Sequence, residues 1–259
     1  MSDSQVHSTA IVHPGARIGD GCEIGPYCVI GADVALGPGC RLHSHVVIDG
    51  HTALGAGNEL FPFACLGLKT QDLKWAGGRT RTEIGDRNTF REHVTVHSAT
   101  VEGGVTVIGS YNHLLAYAHV AHDCRLGDHI VMSNVATLAG HVVVGDRAVV
   151  GGLAAVHQFC RIGAMSIIGG CSKVVQDVPP YMLADGNPAQ VRHINKVGLE
   201  RNGVSEAAQT GLRQAYKILF REGLMVSNAL ARIEADLPPL PELEALVQFV
   251  RASDRGISK

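Results

Sequence analysis

The stretch LLAYAHVAHDCRL, residues 114–126, places an aliphatic residue at every sixth position. The same period extends through most of the chain, with apolar residues at Val6, Val12, Ile18, Ile24, Ile30, Leu36, Leu42, Ile48, Leu54, Leu60 and Leu66, then at Ile84, Phe90 and Val96, then at Ile108, Leu114, Val120, Leu126, Met132, Leu138, Val144, Val150, Val156, Ile162, Ile168 and Val174. Neither the α-helical period of 3.6 nor the strand period of 2 produces this spacing. It is typical of a solenoid built of short parallel strands, each of which points one aliphatic side chain inward.

A second, mostly small residue follows four positions after each aliphatic residue. Five of the seven cysteines hold that position, namely Cys22, Cys28, Cys40, Cys124 and Cys160. We interpret them as reduced, buried filler, because their spacing is not that of metal ligands. Three hexapeptides make one coil of a triangular prism, so residues 18 positions apart are expected to stack.

The period pauses at about residues 69–82 and 98–106, which predicts two loops that leave the prism. A mainly β domain is predicted over residues 1–190, with the prism ending near Val178, because Pro179-Pro180 cannot continue a parallel ladder. A helical domain is predicted over residues 191–259. Helices are expected at about 206–222, with Ser205 as N-cap, and at about 228–236 and 242–251.

Composition excludes several classes of function. Lys and Arg total 22 and Asp and Glu total 24, so nothing favours a nucleic acid partner. No apolar run of about 18 residues is present, and we expect no membrane insertion. The first residues lack the basic and apolar regions of a signal peptide, which favours a cytoplasmic location.

Stacking is expected to gather a polar cluster at one corner of the prism. His122, Gly140 and Gln158 are spaced by 18, and Asp123 and His141 fall in the adjacent column. His119 and His157 lie beside them, and His97 extends the patch. We predict that His122 is a general base, that Asp123 orients it, and that the Gly140 N–H stabilises an oxyanion.

Other interpretations of these residues stay open. Imidazoles are common zinc ligands, so a metal site is one alternative. A second alternative is that these polar residues only cover the corners of a non-catalytic solenoid. The first loop carries Gln71, Asp72 and Lys74, which either form an ordinary solvated loop or place a cation for a phosphate.

Several motifs resemble one family closely. They are residues 44–47 (SHVV), 71–74 (QDLK), Asn88 with Arg91-Glu92, 118–124 (AHVAHDC), 138–141 (LAGH), 156–160 (VHQFC) and 176–181 (QDVPPY). The chain resembles the left-handed parallel β-helix acyltransferases, and within them the UDP-N-acetylglucosamine acyltransferases of lipid A biosynthesis. The handedness is implied by the resemblance, since it opposes the usual right-handed crossover.

The resemblance implies a homotrimer with active sites between subunits. The reaction would move an (R)-3-hydroxyacyl group from acyl carrier protein to the 3-hydroxyl of UDP-N-acetylglucosamine, with His122 as base, Asp123 as its partner, Gly140 as oxyanion donor, and no cofactor, metal or acyl-enzyme. Substrate-binding positions would be Gln71, Asp72, Lys74, His97, His119, His141, His157, Gln158, Gly170, Asn195 and Arg201.

Some of these matches carry further implications. Gly170 implies a longer acyl chain, because the family varies residue size there. Asn195 and Arg201 match the family's nucleotide pocket, whereas Val197 and Asn202 depart from the acidic and basic residues often found in it. Arg213, Lys217 and Arg221 are candidates for docking the acidic carrier protein, with a solvated helix face as the alternative.

Four rival functions remain at this stage. The later N-acyltransferase, which acts on a UDP-amino sugar, carries an extra N-terminal domain, whereas this repeat begins by Val6. The others are an acetyltransferase that uses acetyl-CoA, a zinc hydratase like carbonic anhydrase on the same prism, and a non-catalytic scaffold.

Overall fold

The computed structural model describes residues 4–259 and contains three sheets that form the sides of a prism, parallel except for the last strand of the first sheet. The first sheet contains β1 (Gln5–Val6), β4 (Glu23–Ile24), β7 (Arg41–Leu42), β10 (Glu59–Leu60), β13 (Thr89–Phe90), β16 (His113–Leu114), β19 (Val131–Met132), β22 (Val149–Val150), β25 (Ile167–Ile168), β27 (Met182–Gly186) and β28 (Ala189–Ile194). The second contains β2 (Ile11–Val12), β5 (Val29–Ile30), β8 (Val47–Ile48), β11 (Cys65–Leu68), β14 (Thr95–His97), β17 (His119–Val120), β20 (Thr137–Leu138), β23 (Ala155–Val156) and β26 (Lys173–Val174). The third contains β3 (Arg17–Ile18), β6 (Ala35–Leu36), β9 (His51–Leu54), β12 (Arg81–Ile84), β15 (Val105–Ile108), β18 (Arg125–Leu126), β21 (Val143–Val144) and β24 (Arg161–Ile162).

The predicted register is confirmed by the strand pairing. In the second sheet His119 pairs with Thr137, and Val120 pairs with Leu138, which lies 18 positions on. The aliphatic residue of each strand from β4 onward is buried, and the five inward cysteines are fully buried. Burial raises the pKa of the Cys124 thiol to about 12, which agrees with a filler role.

Most corners of the prism turn through a residue in the left-handed region of backbone conformation. From Tyr111 to Cys171 this residue recurs every six positions, with φ between 53° and 65°. The strain of that conformation is offset by a hydrogen bond between coils, as when the N–H of His141 donates to the carbonyl of His122 over 3.0 Å. We number the corners by the sheet that precedes them, so the second corner follows the second sheet.

Polar residues replace part of the small inward column, and its asparagines bond from coil to coil. The Asn58 Oδ1 accepts from the backbone N–H and side-chain amide of Asn88, each at 2.9 Å. The Asn88 Oδ1 in turn accepts from the backbone N–H of Asn112 at 2.9 Å. This ladder stiffens the column without leaving buried amide groups unpaired.

The end of the prism corrects one expectation. Pro179-Pro180 do not end the first sheet, because β27 pairs in parallel with β25 immediately after them. An unpredicted antiparallel hairpin, β27 with β28, then joins the prism to the helices. The prolines fall between the strands, where no ladder hydrogen bond is required of them.

Four helices follow: α1 (Lys196–Arg201), α2 (Glu206–Phe220), α3 (Val226–Asp236) and α4 (Pro241–Arg251). The N-cap role of Ser205 is confirmed, since its hydroxyl accepts from the N–H of Ala208 at 3.1 Å. The short α1 was not predicted, because six residues that include Gly198 show no helical period. Among residues 4–259, no helix has the length and apolar character needed to cross a membrane.

The C-terminal tail returns to the last coil of the prism and is fixed there by a buried carboxylate. Asp177 is 1% exposed. Its carboxylate accepts from the N–H of Arg161 and from the hydroxyl of Ser253, both at 2.8 Å. Its own N–H donates to the carbonyl of Gly256 at 3.0 Å, so one residue joins the prism to the tail.

We expect Asp177→Ala to lower the free energy of unfolding by roughly 1–3 kcal/mol, because it leaves buried donors unpaired. Thermal unfolding followed by circular dichroism measures the loss. Asp254→Ala is the matched control, since it removes the same charge from an exposed position of the same tail. Equal unfolding temperatures for the two variants would contradict the anchoring role of Asp177.

Candidate active site

His122 and Asp123 lie together at the second corner, on the turn that follows β17. The His122 Nδ1 lies 2.8 Å from the Asp123 Oδ2, and the side chains are only 13% and 11% exposed. Adjacent residues of a strand would point to opposite faces, but Asp123 has a φ of 59° and so turns its side chain back toward His122. The two residues therefore form a hydrogen-bonded pair, called the dyad below.

Asp123 is held both through its carboxylate and through its backbone. Its Oδ2 also accepts from the backbone N–H of Thr100 at 3.1 Å, and its own N–H donates to the Thr106 hydroxyl at 2.8 Å. A carboxylate beside Nδ1 favours the tautomer that carries its proton there. The Nε2 of His122 is then left with a lone pair for taking a proton.

Gly140 lies directly against the His122 ring. A Cβ at Gly140 would be 2.3 Å from the Cε1 of His122 and 2.4 Å from its Nε2, which no real side chain tolerates. The Gly140 N–H donates to no backbone acceptor within residues 4–259. Glycine is therefore needed here for close approach, and its amide has no backbone partner beside the His122 imidazole.

Three further histidines surround the dyad. The His141 Nε2 lies 3.8 Å from the Asp123 Oδ2, and its ring meets that of His122 edge-on at 5.2 Å. The His119 Nδ1 is 2.7 Å from the Thr95 hydroxyl, and the ring of His97 meets that of His119 edge-on at 5.0 Å. The structure thus gathers four histidines at this corner.

Burial decides the charge of two of these rings. Burial, with the nearby His97 and His122 as smaller causes, lowers the pKa of His119 to about 4. Burial also lowers the pKa of His97, with His122 as the second cause. Near pH 7 both rings are neutral, so they act as hydrogen-bonding groups and leave the dyad without adjacent fixed cations.

The first loop brings a second carboxylate to the dyad. The Asp72 Oδ2 lies 3.8 Å from the His122 Nε2. Its Oδ1 accepts from the backbone N–H of Lys74 at 2.9 Å, which shapes the turn. Gln71 and Lys74 are exposed beside it.

The remaining predicted residues lie elsewhere on the chain. His157 and Gln158 are exposed one coil beyond Gly140, with the His157 Nδ1 3.5 Å from Arg255. Gly170 follows β25 and therefore lies at the first corner. Asn195 caps α1 and donates to the carbonyl of Met165 at the third corner, and Arg201 is exposed at the end of α1. A single chain does not bring Gly170, Asn195 and Arg201 to the dyad.

Sequence reasoning missed two residues that hold the dyad. Thr106 was detectable in principle, since it occupies the inward position where small apolar residues are the rule. Thr100 gave no signal, because it lies in the second loop, where the period is interrupted. Its contact with Asp123 depends on the loop folding back onto the second corner.

Three side chains around the dyad also lie close enough together to bind a metal ion. One potential ligand atom each from His122, Asp123 and His141 lies within 4.8 Å of the others. Two imidazoles and a carboxylate suit zinc. These ligands all come from one chain.

Comparison with known proteins defines the class first. A family model described as bacterial transferase hexapeptide (six repeats) matches residues 1–32 and 15–50, and one described as UDP N-acetylglucosamine O-acyltransferase, domain 2, matches residues 177–258. The repeats, the three-sided prism and the C-terminal helices are those of a left-handed parallel β-helix transferase.

Relatives that span the whole chain define the family. The acyl-[acyl-carrier-protein]–UDP-N-acetylglucosamine O-acyltransferase of Thermodesulfovibrio yellowstonii is 48% identical over 99% of this chain and 100% of its own length. LpxA from Acinetobacter baumannii has a TM-score of 0.95 at 46% identity, covering 98% of this chain and 99% of that one. UDP-N-acetylglucosamine O-acyltransferase (LpxA) from Moraxella catarrhalis has a TM-score of 0.94 at 40% identity, with the same coverage. The chain belongs to the UDP-N-acetylglucosamine O-acyltransferase family.

We expect Gly140→Ala to lower acyl transfer by at least about 100-fold, because the new methyl group displaces the His122 ring from its position. Steady-state rates measure the loss, and thermal unfolding checks that the prism persists. Gly39→Ala is a control at a corner glycine whose Cβ would meet nothing within 4 Å, although its φ of 69° adds some strain. Activity near that of the wild type in Gly140→Ala would contradict the close approach.

We expect stability to fall as the pH drops from about 6.5 toward 4. Folding lowers the pKa of His119 to about 4, so between these values the unfolded chain binds more protons than the folded one. The penalty is absent above pH 6.5 and grows to the order of 2 kcal/mol near pH 4. Urea unfolding across this pH range measures the free energy of unfolding. In His119→Gln, this free energy should depend less steeply on pH. An unchanged slope in that variant would refute the assignment.

Proposed function

We propose that this chain transfers an (R)-3-hydroxyacyl group from acyl carrier protein to the 3-hydroxyl of UDP-N-acetylglucosamine, in lipid A biosynthesis. The observation that carries the proposal is the pairing of the His122 Nδ1 with Asp123 over 2.8 Å, with Nε2 facing Gly140. Full-length similarity to acyltransferases with this named activity supports the choice of substrates. A cytoplasmic location is part of the same proposal.

The chemistry requires one base and one oxyanion donor. The His122 Nε2 takes the proton of the sugar hydroxyl as its oxygen attacks the carbonyl carbon of the thioester. The Gly140 N–H stabilises the resulting oxyanion, and Asp123 stabilises the imidazolium. The carbon–sulfur bond then breaks, and the thiolate of the carrier takes the proton back from His122. Because the acyl group moves directly, no cysteine is required as a nucleophile.

The binding roles follow from the positions of the side chains. Asp72 faces the Nε2 of His122 at 3.8 Å, so we assign it to the sugar. Gln71 and Lys74 continue that loop toward solvent, where the diphosphate would lie. We assign His97, His119 and His141 to the walls of the site, as neutral or partly buried hydrogen-bonding groups.

We also propose a homotrimer with sites shared between chains. Within one chain the dyad lies at the second corner, Gly170 at the first, and Asn195 with Arg201 near the third. Packing the second corner of one copy against the other corners of its neighbour would bring these groups together. His157 and Gln158 would line the same cleft, and Gly170 would leave room for a longer acyl chain.

We expect His122→Ala to lower acyl transfer by roughly 100- to 10,000-fold, the usual contribution of a general base. Transfer of radiolabelled 3-hydroxyacyl groups from carrier protein to UDP-N-acetylglucosamine measures this. His129→Ala is the matched control, since His129 is an exposed imidazole stacked on Tyr111 at the third corner. Full activity in His122→Ala would overturn the catalytic assignment.

The same assay separates the rival functions. Transfer by the wild type only to a UDP-amino sugar would replace the O-acyl product by an amide. Carriers loaded with acyl chains of different length, in competition, test the expectation from Gly170. Inactivity on both acceptors, together with stoichiometric zinc bound through His122, Asp123 and His141, would favour a metal-dependent hydratase.

A further inference from the structure

The two loops that leave the prism are joined by buried hydroxyl groups. The first loop spans residues 69–80, between β11 and β12, and the second spans residues 98–104, between β14 and β15. The Oγ1 of Thr70 lies 3.1 Å from the Oγ1 of Thr100, and these residues are 4% and 6% exposed. A hydroxyl pair shielded from water in this way is costly to leave unpaired.

Each of these threonines is also bonded toward the dyad. The Thr70 hydroxyl accepts from the backbone N–H of Asp72 at 3.1 Å. The Thr100 backbone N–H donates to the Asp123 carboxylate at 3.1 Å. Asp72 and Asp123 approach opposite nitrogens of the His122 ring, at 3.8 and 2.8 Å. The contacts therefore form a closed ring from Asp72 through His122, Asp123, Thr100 and Thr70 back to Asp72.

The Thr70 hydroxyl is the point in this ring where the two loops meet. It accepts from the N–H of Asp72 and shares one hydrogen bond with the Thr100 hydroxyl, in which either oxygen can be the donor. Without it, Asp72 would lose its local turn contact and Thr100 would lose its link to the first loop. Both carboxylates that face His122 would then be held less firmly.

We propose that the Thr70 hydroxyl is a positioning group that fixes Asp72 and Asp123 around the His122 ring. It touches neither the ring nor the reacting atoms, and it acts through the two aspartates. This role rests on the proposed function of the dyad. It differs from a general stabilising role for the loops, because a second hydroxyl contact joins the same loops without a hydrogen bond to either aspartate.

That second contact joins Thr80 and Ser98. The Thr80 Oγ1 donates to the Ser98 Oγ over 3.2 Å, and the residues are 8% and 6% exposed. Neither hydroxyl contacts Asp72, His122 or Asp123 within residues 4–259. Removal of either hydroxyl pair should therefore loosen the loops about equally, while only the Thr70 pair is connected to the dyad.

The test compares three variants in the acyl transfer assay. Thr70→Val keeps the shape of the side chain and removes the hydroxyl, and we expect kcat to fall about tenfold, the equivalent of one good hydrogen bond. Thr70→Ser keeps the hydroxyl, and we expect it to restore most of the lost rate. Thr80→Val should keep the kcat of the wild type. Thermal unfolding of all three checks that the two valine variants lose similar stability.

Two outcomes would overturn the proposal. One is an unchanged kcat in Thr70→Val. The other is an equal fall in kcat for Thr70→Val and Thr80→Val, which would show that Thr70 only stabilises the loops. Failure of the proposed function gives a different result, because the wild type would then be inactive on both acceptors, or His122→Ala would retain full activity, whatever the Thr70 variants do. The pH dependence of kcat adds an independent readout, since a loosened dyad should shift its acidic limb in Thr70→Val and leave it unchanged in Thr80→Val.

Discussion

Stacking of one short coil on the next is the constraint on which the rest of this structure depends. A two-residue strand has almost no stability alone, so each coil must present its aliphatic side chain and its backbone hydrogen bonds at the same positions as its neighbours. The residue with positive φ found at most corners keeps that register, because its N–H bonds to the preceding coil. A slip of one residue would turn the aliphatic column out to solvent.

The same constraint makes the second corner suitable for chemistry. The turn at Asp123 places two consecutive side chains against each other, and the next coil places Gly140 under the imidazole. Backbone hydrogen bonds on both sides hold these positions, so the dyad is pre-organised by the scaffold and not by its own contacts alone. Neutral His97 and His119 line the site without competing for the negative charge of Asp123.

The predictable part of the site is the part that lies on the repeat. A period of six with three sides fixes which residues stack, and His122, Asp123, Gly140 and His141 could be placed beside one another from their numbers alone. The interrupted segments were beyond such reasoning. Asp72 and Thr100 lie in loops without a period, and their approach to the dyad depends on how those loops fold back over the corner.

The sequence by itself determined the prism, its register, the inward cysteines and the identity of the dyad, because a strict period converts position in the chain directly into position in space. Tertiary structure alone decided the continuation of the first sheet beyond Pro179-Pro180, the hairpin of β27 and β28, the anchoring of the tail at Asp177, and the ring of contacts through Thr70. These features join segments that are distant in the chain and follow no common period. Their positions depend on which backbone and side-chain groups meet once the coils have stacked.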